Sequence, residues 1–245
     1  MIVNRLDTGW EVIYQPAHAL LSAQVAGHWR RDVRPIRWWE TLIAVSQHDN
    51  GWREWEAAPQ LTDKGEPRNF TQMTLPESIA QWERGIARGL HQSRWVGLLI
   101  SRHASHLYEP RRGEGEMLDD FLEHQAAQRA RWQQALGVTE PEIKQAYAMI
   151  RWCDWFSLVL CWRRLPEDGS SVALGEGADG LSYEMRQLSD GSVTLDPWPF
   201  NVMHFEVSVE ARLLSPSRFE NDRALLAALE SAPTEVRSWT IAKQS

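Results

Sequence analysis

The chain has 245 residues, of which 43% are hydrophobic and 24% charged, the balance of a globular protein able to bury a full core rather than of a disordered segment. A formal net charge of −7 without any dense basic run excludes general nucleic-acid binding. No apolar run is long enough to span a bilayer and no signal peptide is read, so the expected setting is cytoplasmic, with Cys153 and Cys161 as reduced core thiols.

The chain opens with two short expected strands, Ile2-Val3 and Trp10 to Tyr14, about a turn at Asp7-Thr8-Gly9. Pro16 starts a helix over Ala17 to Trp29 that carries His18 in its first turn. A second helix, Pro35 to Gln47, holds the apolar run Trp38 to Val45 and ends on Ser46-Gln47-His48-Asp49-Asn50-Gly51-Trp52. Asn50-Gly51 reads there as a helix stop, with Gly51 in the left-handed position. Residues 53–75 contain Pro59, Gly65 and Pro67 and lack periodicity; placed directly after that motif, they are expected to form a pocket.

Helices follow at Ser78 to His91, Arg94 to Tyr108, Glu116 to Leu136 and Glu140 to about Trp162, the third clearly amphipathic and the last apolar on nearly every face. After Pro166 the period changes to two. Leu181 to Leu188 and Phe205 to Ala211 alternate as half-buried antiparallel strands do, and Asp190-Gly191 marks a hairpin turn. A helix from about Glu220 to Ser231 and a strand from Glu235 to Ile241 close the chain. The expected fold is mainly α, passing to α+β. An N-terminal hairpin (1–15) joins a C-terminal antiparallel β-subdomain (166–245), around a helical core of about six helices (16–165).

Several residues in the helical part are suited to metal chemistry. His48 and Asp49 fall in the last turn of a helix, beside unsatisfied carbonyls, where an aspartate is badly placed unless a cation is near. A divalent metal would supply that charge; a surface His-Asp pair is the competing reading. Asp154 is the only acid between Ala146 and Leu160, and burying it alone would cost several kcal/mol. It is read either as an ion-pair partner of Arg151 or as a metal ligand. His18 lies in a first helical turn, a position that tolerates a neutral imidazole, and a neutral ring is what a metal needs; a structural histidine is the competing reading. His103 and His106, at i and i+3, share one helical face. Trp52 and Trp55 are placed to wall a pocket. Gly175-Glu176-Gly177-Ala178-Asp179-Gly180 matches G-x-G-x-x-G literally, but a strand follows it instead of a helix, so it is read as a loop.

In chain order the set runs His18, His48-Asp49, His103, His106, Asp154. This order and its helical setting resemble the HD-domain superfamily of metal-dependent phosphohydrolases, whose ligands run His … His-Asp … Asp, with two further histidines in two-metal members. The resemblance covers roughly residues 15–165. The strings His48-Asp49-Asn50-Gly51-Trp52, Gly65-Glu66-Pro67 with Phe70, and Ser101-Arg102-His103 resemble, over nearly the whole chain, an uncharacterised bacterial family, a domain of unknown function.

The superfamily resemblance implies a hydrolase acting on a phosphoester or nucleotide, a phosphorylated small-molecule substrate. His18, His48, Asp49 and Asp154 would bind a first divalent ion, and His103 and His106 would complete a second site or contact substrate. Asp49, His103 and His106 are the implied catalytic residues. Mixed nitrogen and oxygen ligands suit Mn, Fe, Co, Ni or Zn, as one ion or two. Trp52, Arg53, Arg94, Arg102 and Arg151 are candidate substrate contacts. Two alternatives use the same residues: a di-iron oxygenase of HD-like type, and a binding module that holds a metal or small ligand without turnover. The oligomeric state is left open.

Overall fold

A computed structural model describes residues 1–215 and 217–244. Strands β1 (Ile2–Leu6) and β2 (Gly9–Ile13) form the expected hairpin, Ile2 opposite Ile13 and Leu6 opposite Gly9. Helices α1 (Gln15–Gly27) and α2 (Trp38–Gln47) follow, then a 3₁₀ turn over Asn50–Trp52 and the short α3 (Arg53–Ala57). Four longer helices come next: α4 (Leu75–Gln92), α5 (Arg94–Tyr108), α6 (Glu116–Leu136) and α7 (Glu140–Cys161). The remainder is β3 (Val172–Glu176), β4 (Ser182–Gln187), β5 (Val193–Asp196), β6 (His204–Leu214), α8 (Asp222–Ser231) and β7 (Thr234–Ala242).

All seven strands belong to one sheet in the order β1-β2-β6-β7-β5-β4-β3, so the α+β expectation and the joining of the N-terminal hairpin to the C-terminal strands hold. Its backbone is the long antiparallel pair β6 and β7, from His204 opposite Ala242 to Arg212 opposite Thr234. One pairing departs from the expected antiparallel pattern: β5 meets β7 in parallel, at Val193 and Ile241. β5 follows the hairpin turn expected at Asp190-Gly191, whereas β3, Val172-Ala173-Leu174-Gly175-Glu176, has no counterpart in the sequence reading. The G-x-G-x-x-G stretch, read as a loop, takes in the end of β3 (Gly175 and Glu176) and the connection from there to β4.

Helices and sheet share one apolar core. Leu21, Trp29, Leu99, Trp152 and Phe156 from the helical side pack in the same cluster as Tyr183, Met185, Val207 and Ile241 from the sheet. The helix carrying Asp154 is pinned to the sheet at its end. Asn4 Nδ2 and Arg237 Nη1 donate to the Cys161 carbonyl (2.7 and 3.3 Å), and Arg237 Nη2 donates to Leu160 (3.1 Å). The helix end leaves these carbonyls without the usual partners; Leu160 also accepts from the Arg163 N–H at 3.1 Å, and the sheet supplies the remaining donors. Cys153 and Cys161 are free and buried, as expected, and burial pushes the Cys161 thiol up to about 12.

Three local readings need correction. α1 ends at Gly27, because Trp29 pairs with Phe200 as an isolated bridge. Segment 53–75 contains α3 and a 3₁₀ turn at Phe70–Gln72. Gly51 is not left-handed. It is glycine because a Cβ there would stand 2.1 Å from the Gln81 carbonyl oxygen of α4, a close approach that no side chain permits.

Candidate metal centre

Four helical segments bring five of the six expected ligands together. α1 supplies His18, the end of α2 supplies His48 and Asp49, α5 supplies His103, and α7 supplies Asp154. His18 and His48 are 1% and 0% exposed, so this is an interior group and not the surface His-Asp pair of the competing reading. Asp49 Oδ2 lies 2.7 Å from His18 Nε2 and 3.6 Å from His48 Nε2. Asp154 Oδ1 lies 3.3 Å from His48 Nε2 and 3.7 Å from His18 Nε2, while its Oδ2 is 3.6 Å from His103 Nε2. These atoms form two overlapping ligand groups, His18-His48-Asp49 and His48-His103-Asp154, which share His48.

Each ring is oriented through its other nitrogen. His48 is the first residue past α2, and its Nδ1–H donates to the Val45 carbonyl at 2.7 Å, one of the acceptors the helix end leaves open. His18 Nδ1 is 2.7 Å from Ser157 Oγ, whose own proton goes to the Asp154 carbonyl at 2.8 Å, so Ser157 accepts from the ring. His103 Nδ1 is 3.3 Å from Tyr147 Oη. With Nδ1 occupied, Nε2 of His48 is buried without a hydrogen-bond partner and faces two carboxylates. Such an arrangement needs positive charge at its centre.

The electrostatics agree. Burial opposes charge on His48, yet the Asp49 and Asp154 carboxylates outweigh it and hold the imidazole up to about 9. Burial also works against an ionised Asp154, but His48, His103 and His18 keep its carboxyl below the usual range. His103 is pushed down to about 4, chiefly by burial, and so is neutral. In a metal-free chain the required charge would be a proton on His48; in a loaded one, the ion replaces it.

The cluster forms the floor of a cavity of about 520 Å³. Six aromatic side chains stand in its walls, Trp52, Phe70, Trp82, Tyr108, Trp155 and Trp162, with Phe70 and Trp162 stacked at 5.5 Å. Phe70, Thr71 and Met73 come from the irregular 53–75 segment, which therefore does help form the pocket. Trp52 Nε1 also donates to Asp49 Oδ1 at 3.2 Å. Trp55, by contrast, packs in the satellite core with Trp10, Leu214 and Leu225 and is not on the cavity wall.

The remaining expected residues separate. His106 lies outside both ligand groups, one turn along α5 from His103, where it lines the cavity and packs on Tyr147. Arg151 lines the cavity, and in place of an ion pair with Asp154 it donates to the Glu176 carbonyl at 3.0 Å. Arg102 pairs with Glu140 at 3.0 Å and borders a neighbouring cavity. Arg53 and Arg94 are exposed and away from both. Two wall residues had no place in the sequence reading. Gln15 is 1% exposed, and its Oε1 lacks a partner. Its position three residues before His18, on the same helical face, was the available signal. Arg111 follows α5 in a 3₁₀ turn that periodicity does not reveal.

Residues 1–216 match the family described as "Protein of unknown function (DUF3891)". The chain belongs to this family. No curated protein and no solved structure matches it. The family span contains all five clustered residues, and no helix among the described residues is long and apolar enough to cross a membrane.

Proposed function

We propose that this member of the family is a metal-dependent phosphohydrolase acting on a phosphoester or nucleotide. One observation carries the reading: the unpartnered Nε2 of His48, fixed in its tautomer by Val45, aimed with the Nε2 atoms of His18 and His103 at the carboxylates of Asp49 and Asp154. Oriented imidazoles with their second nitrogen tied to protein oxygens are the usual support of a metal ligand set. The chain order His18, His48-Asp49, Asp154 and the helical setting add the resemblance to HD-type phosphohydrolases. Mixed nitrogen and oxygen donors suit Mn, Fe, Co, Ni or Zn.

A divalent ion bound here would lower the pKa of a coordinated water and polarise a phosphoryl oxygen. The chain's own residues do the rest. Ser157, Val45 and Tyr147 keep the rings aimed. The tryptophan walls exclude bulk water and hold an apolar or aromatic body. Arg151, where the cavity meets its neighbour, offers a guanidinium to an anionic part of the substrate away from the ion, and Gln15 offers an open acceptor to a substrate hydroxyl or N–H. His106 is assigned to substrate contact and not to a ligand role.

The test is hydrolysis of a panel of phosphomonoesters, phosphodiesters and nucleotides by the chain reconstituted with each of Mn, Fe, Co, Ni and Zn. Turnover with at least one metal, lost in Asp154→Ala, is the expected result. Stoichiometric metal without turnover on any member would instead leave a binding module. The oxygenase alternative needs two ions, whereas the single free Nε2 of His48, shared by both groups, can ligate one; two irons per chain with oxygen-dependent absorption changes would favour it.

A further inference from the structure

Along the seam between α5 and α7 the chemistry changes turn by turn. His103 and Asp154 lie in the metal cluster. Three residues further along α5 is His106, and three residues back along α7 is Arg151; both line the first cavity and a second one of about 480 Å³. Beyond them the second cavity is bordered by Lys144, Tyr147 and Arg102, and closed on its far side by residues 176–180, the G-x-G-x-x-G connection. The two cavities thus meet at His106 and Arg151.

This second space is built for negative charge. Arg102 is balanced by Glu140 at 3.0 Å, but neither Lys144 nor Arg151 has a carboxylate within 4 Å among the described residues. Arg151 is instead held in place by the Glu176 carbonyl (3.0 Å), which fixes its position without spending its charge. Of the two acids on the wall, Asp179 is taken up by Arg30 Nη2 at 2.9 Å and Tyr183 Oη at 2.6 Å. The other, Glu176, is exposed at the strand end. Gly177 is needed here for space: a Cβ would stand within 2.9 Å of the Trp29 and Tyr183 rings.

We propose that the second cavity binds an oxyanion, a phosphate or a carboxylate, on the part of the substrate remote from the metal, held by Lys144 and Arg151. Taken with the hydrolase reading, on which the word substrate rests, this makes the substrate class a phosphoester with a second anionic group. At a helical rise of about 1.5 Å per residue, Arg151 and Lys144 lie roughly 5 and 15 Å along α7 from Asp154, which brackets the separation of the two anionic groups. Substrates with a single anionic group would fill the aromatic cavity alone.

The test is calorimetric titration of inorganic phosphate, and separately of succinate, into the full chain after chelation. The variants are His48→Ala with Asp49→Ala, Lys144→Glu and Arg151→Met. The expected result is binding of at least one anion to the chelated wild type and to the double variant alike, weakened at least tenfold in Lys144→Glu and in Arg151→Met. Tighter phosphate names a phosphate group, tighter succinate a carboxylate. Binding that Lys144→Glu leaves unchanged, or no binding of either anion to the chelated chain, overturns the proposal. Lys144 is exposed, so its replacement leaves the fold intact. Metal content of the same preparations is read independently, so a failure of the metal reading and a failure of this one give different results.

Discussion

His48 serves its helix and the site with one ring. Its Nδ1–H satisfies the Val45 carbonyl at the end of α2, and that bond is what leaves Nε2 bare among the carboxylates. The same logic places Ser157 as a positioning residue for His18. Replacing it by Ala should lower metal affinity about 10–100-fold, the usual effect of removing a ligand's hydrogen-bond partner. Competition against a chromophoric chelator would measure this, and affinity equal to wild type would remove Ser157 from the site. Gly51 tests the packing beneath the motif. Gly51→Ala drives a Cβ toward the Gln81 carbonyl and should cost about 1–3 kcal/mol by thermal or denaturant unfolding. At this scale the residues that cluster were legible because each is a polar or titratable type in an apolar or helix-end setting. The role of Gly51 was not, since a glycine after Asn is equally compatible with a left-handed cap and with a close helix approach, and only the position of α4 separates them.

Elements with strong periodicity and capping residues were readable to their ends. α6 falls at Glu116–Leu136 as expected, and Thr139 with Glu142 caps α7, the glutamate accepting the Thr139 N–H at 2.7 Å. α4 begins three residues earlier than periodicity suggested. Thr74 caps it, and Glu77 accepts from Thr74 N at 2.7 Å and from Arg68 Nη2 at 2.8 Å. Arg68, above all, holds the Glu77 carboxyl down to about 2, against a small cost of burial and with help from Thr74. Because its folded value is depressed below the ordinary 4.5, Glu77 contributes stability that is fully present above pH 4.5 and lost as pH falls toward 2. Glu77→Gln should therefore flatten the stability profile between those values while changing little below them. Denaturant unfolding at a series of pH values measures it, and an unchanged slope would place the stabilisation elsewhere. β3 was illegible for the opposite reason: its five residues show no alternation and no turn signal like Asp7-Thr8-Gly9 marks it, so its identity comes from β4 beside it.

In the whole molecule the sheet is the frame against which the site helices are held. Glu11 of β2 is 2% exposed and binds Arg163 just past α7 at 2.8 Å, Arg237 of β7 at 2.9 Å and Asn4 of β1 at 2.9 Å. Burial resists its charge, but Arg163, Asn4 and Arg237 keep its carboxyl below the usual range. Glu11→Ala leaves the half-buried Arg237 uncompensated beside the α7 terminus and should destabilise the fold by about 3 to 5 kcal/mol. A loss under 1 kcal/mol in equilibrium unfolding would mean that α7 is anchored by packing alone. No reading of the sequence joins Glu11 to Arg237, because the contact spans nearly the whole chain and depends on strand order. The proposed function requires that the buried charge beside His48 be a metal ion and not a proton. Elemental analysis of the chain purified without a chelating tag, for wild type and for His48→Ala with Asp49→Ala, tests it most directly. One or two transition-metal ions per wild-type chain, absent from the double variant, is the predicted result. No metal in the wild type, even after reconstitution with Mn, Fe, Co, Ni or Zn, would contradict it and leave His48 as a buried imidazolium between two aspartates.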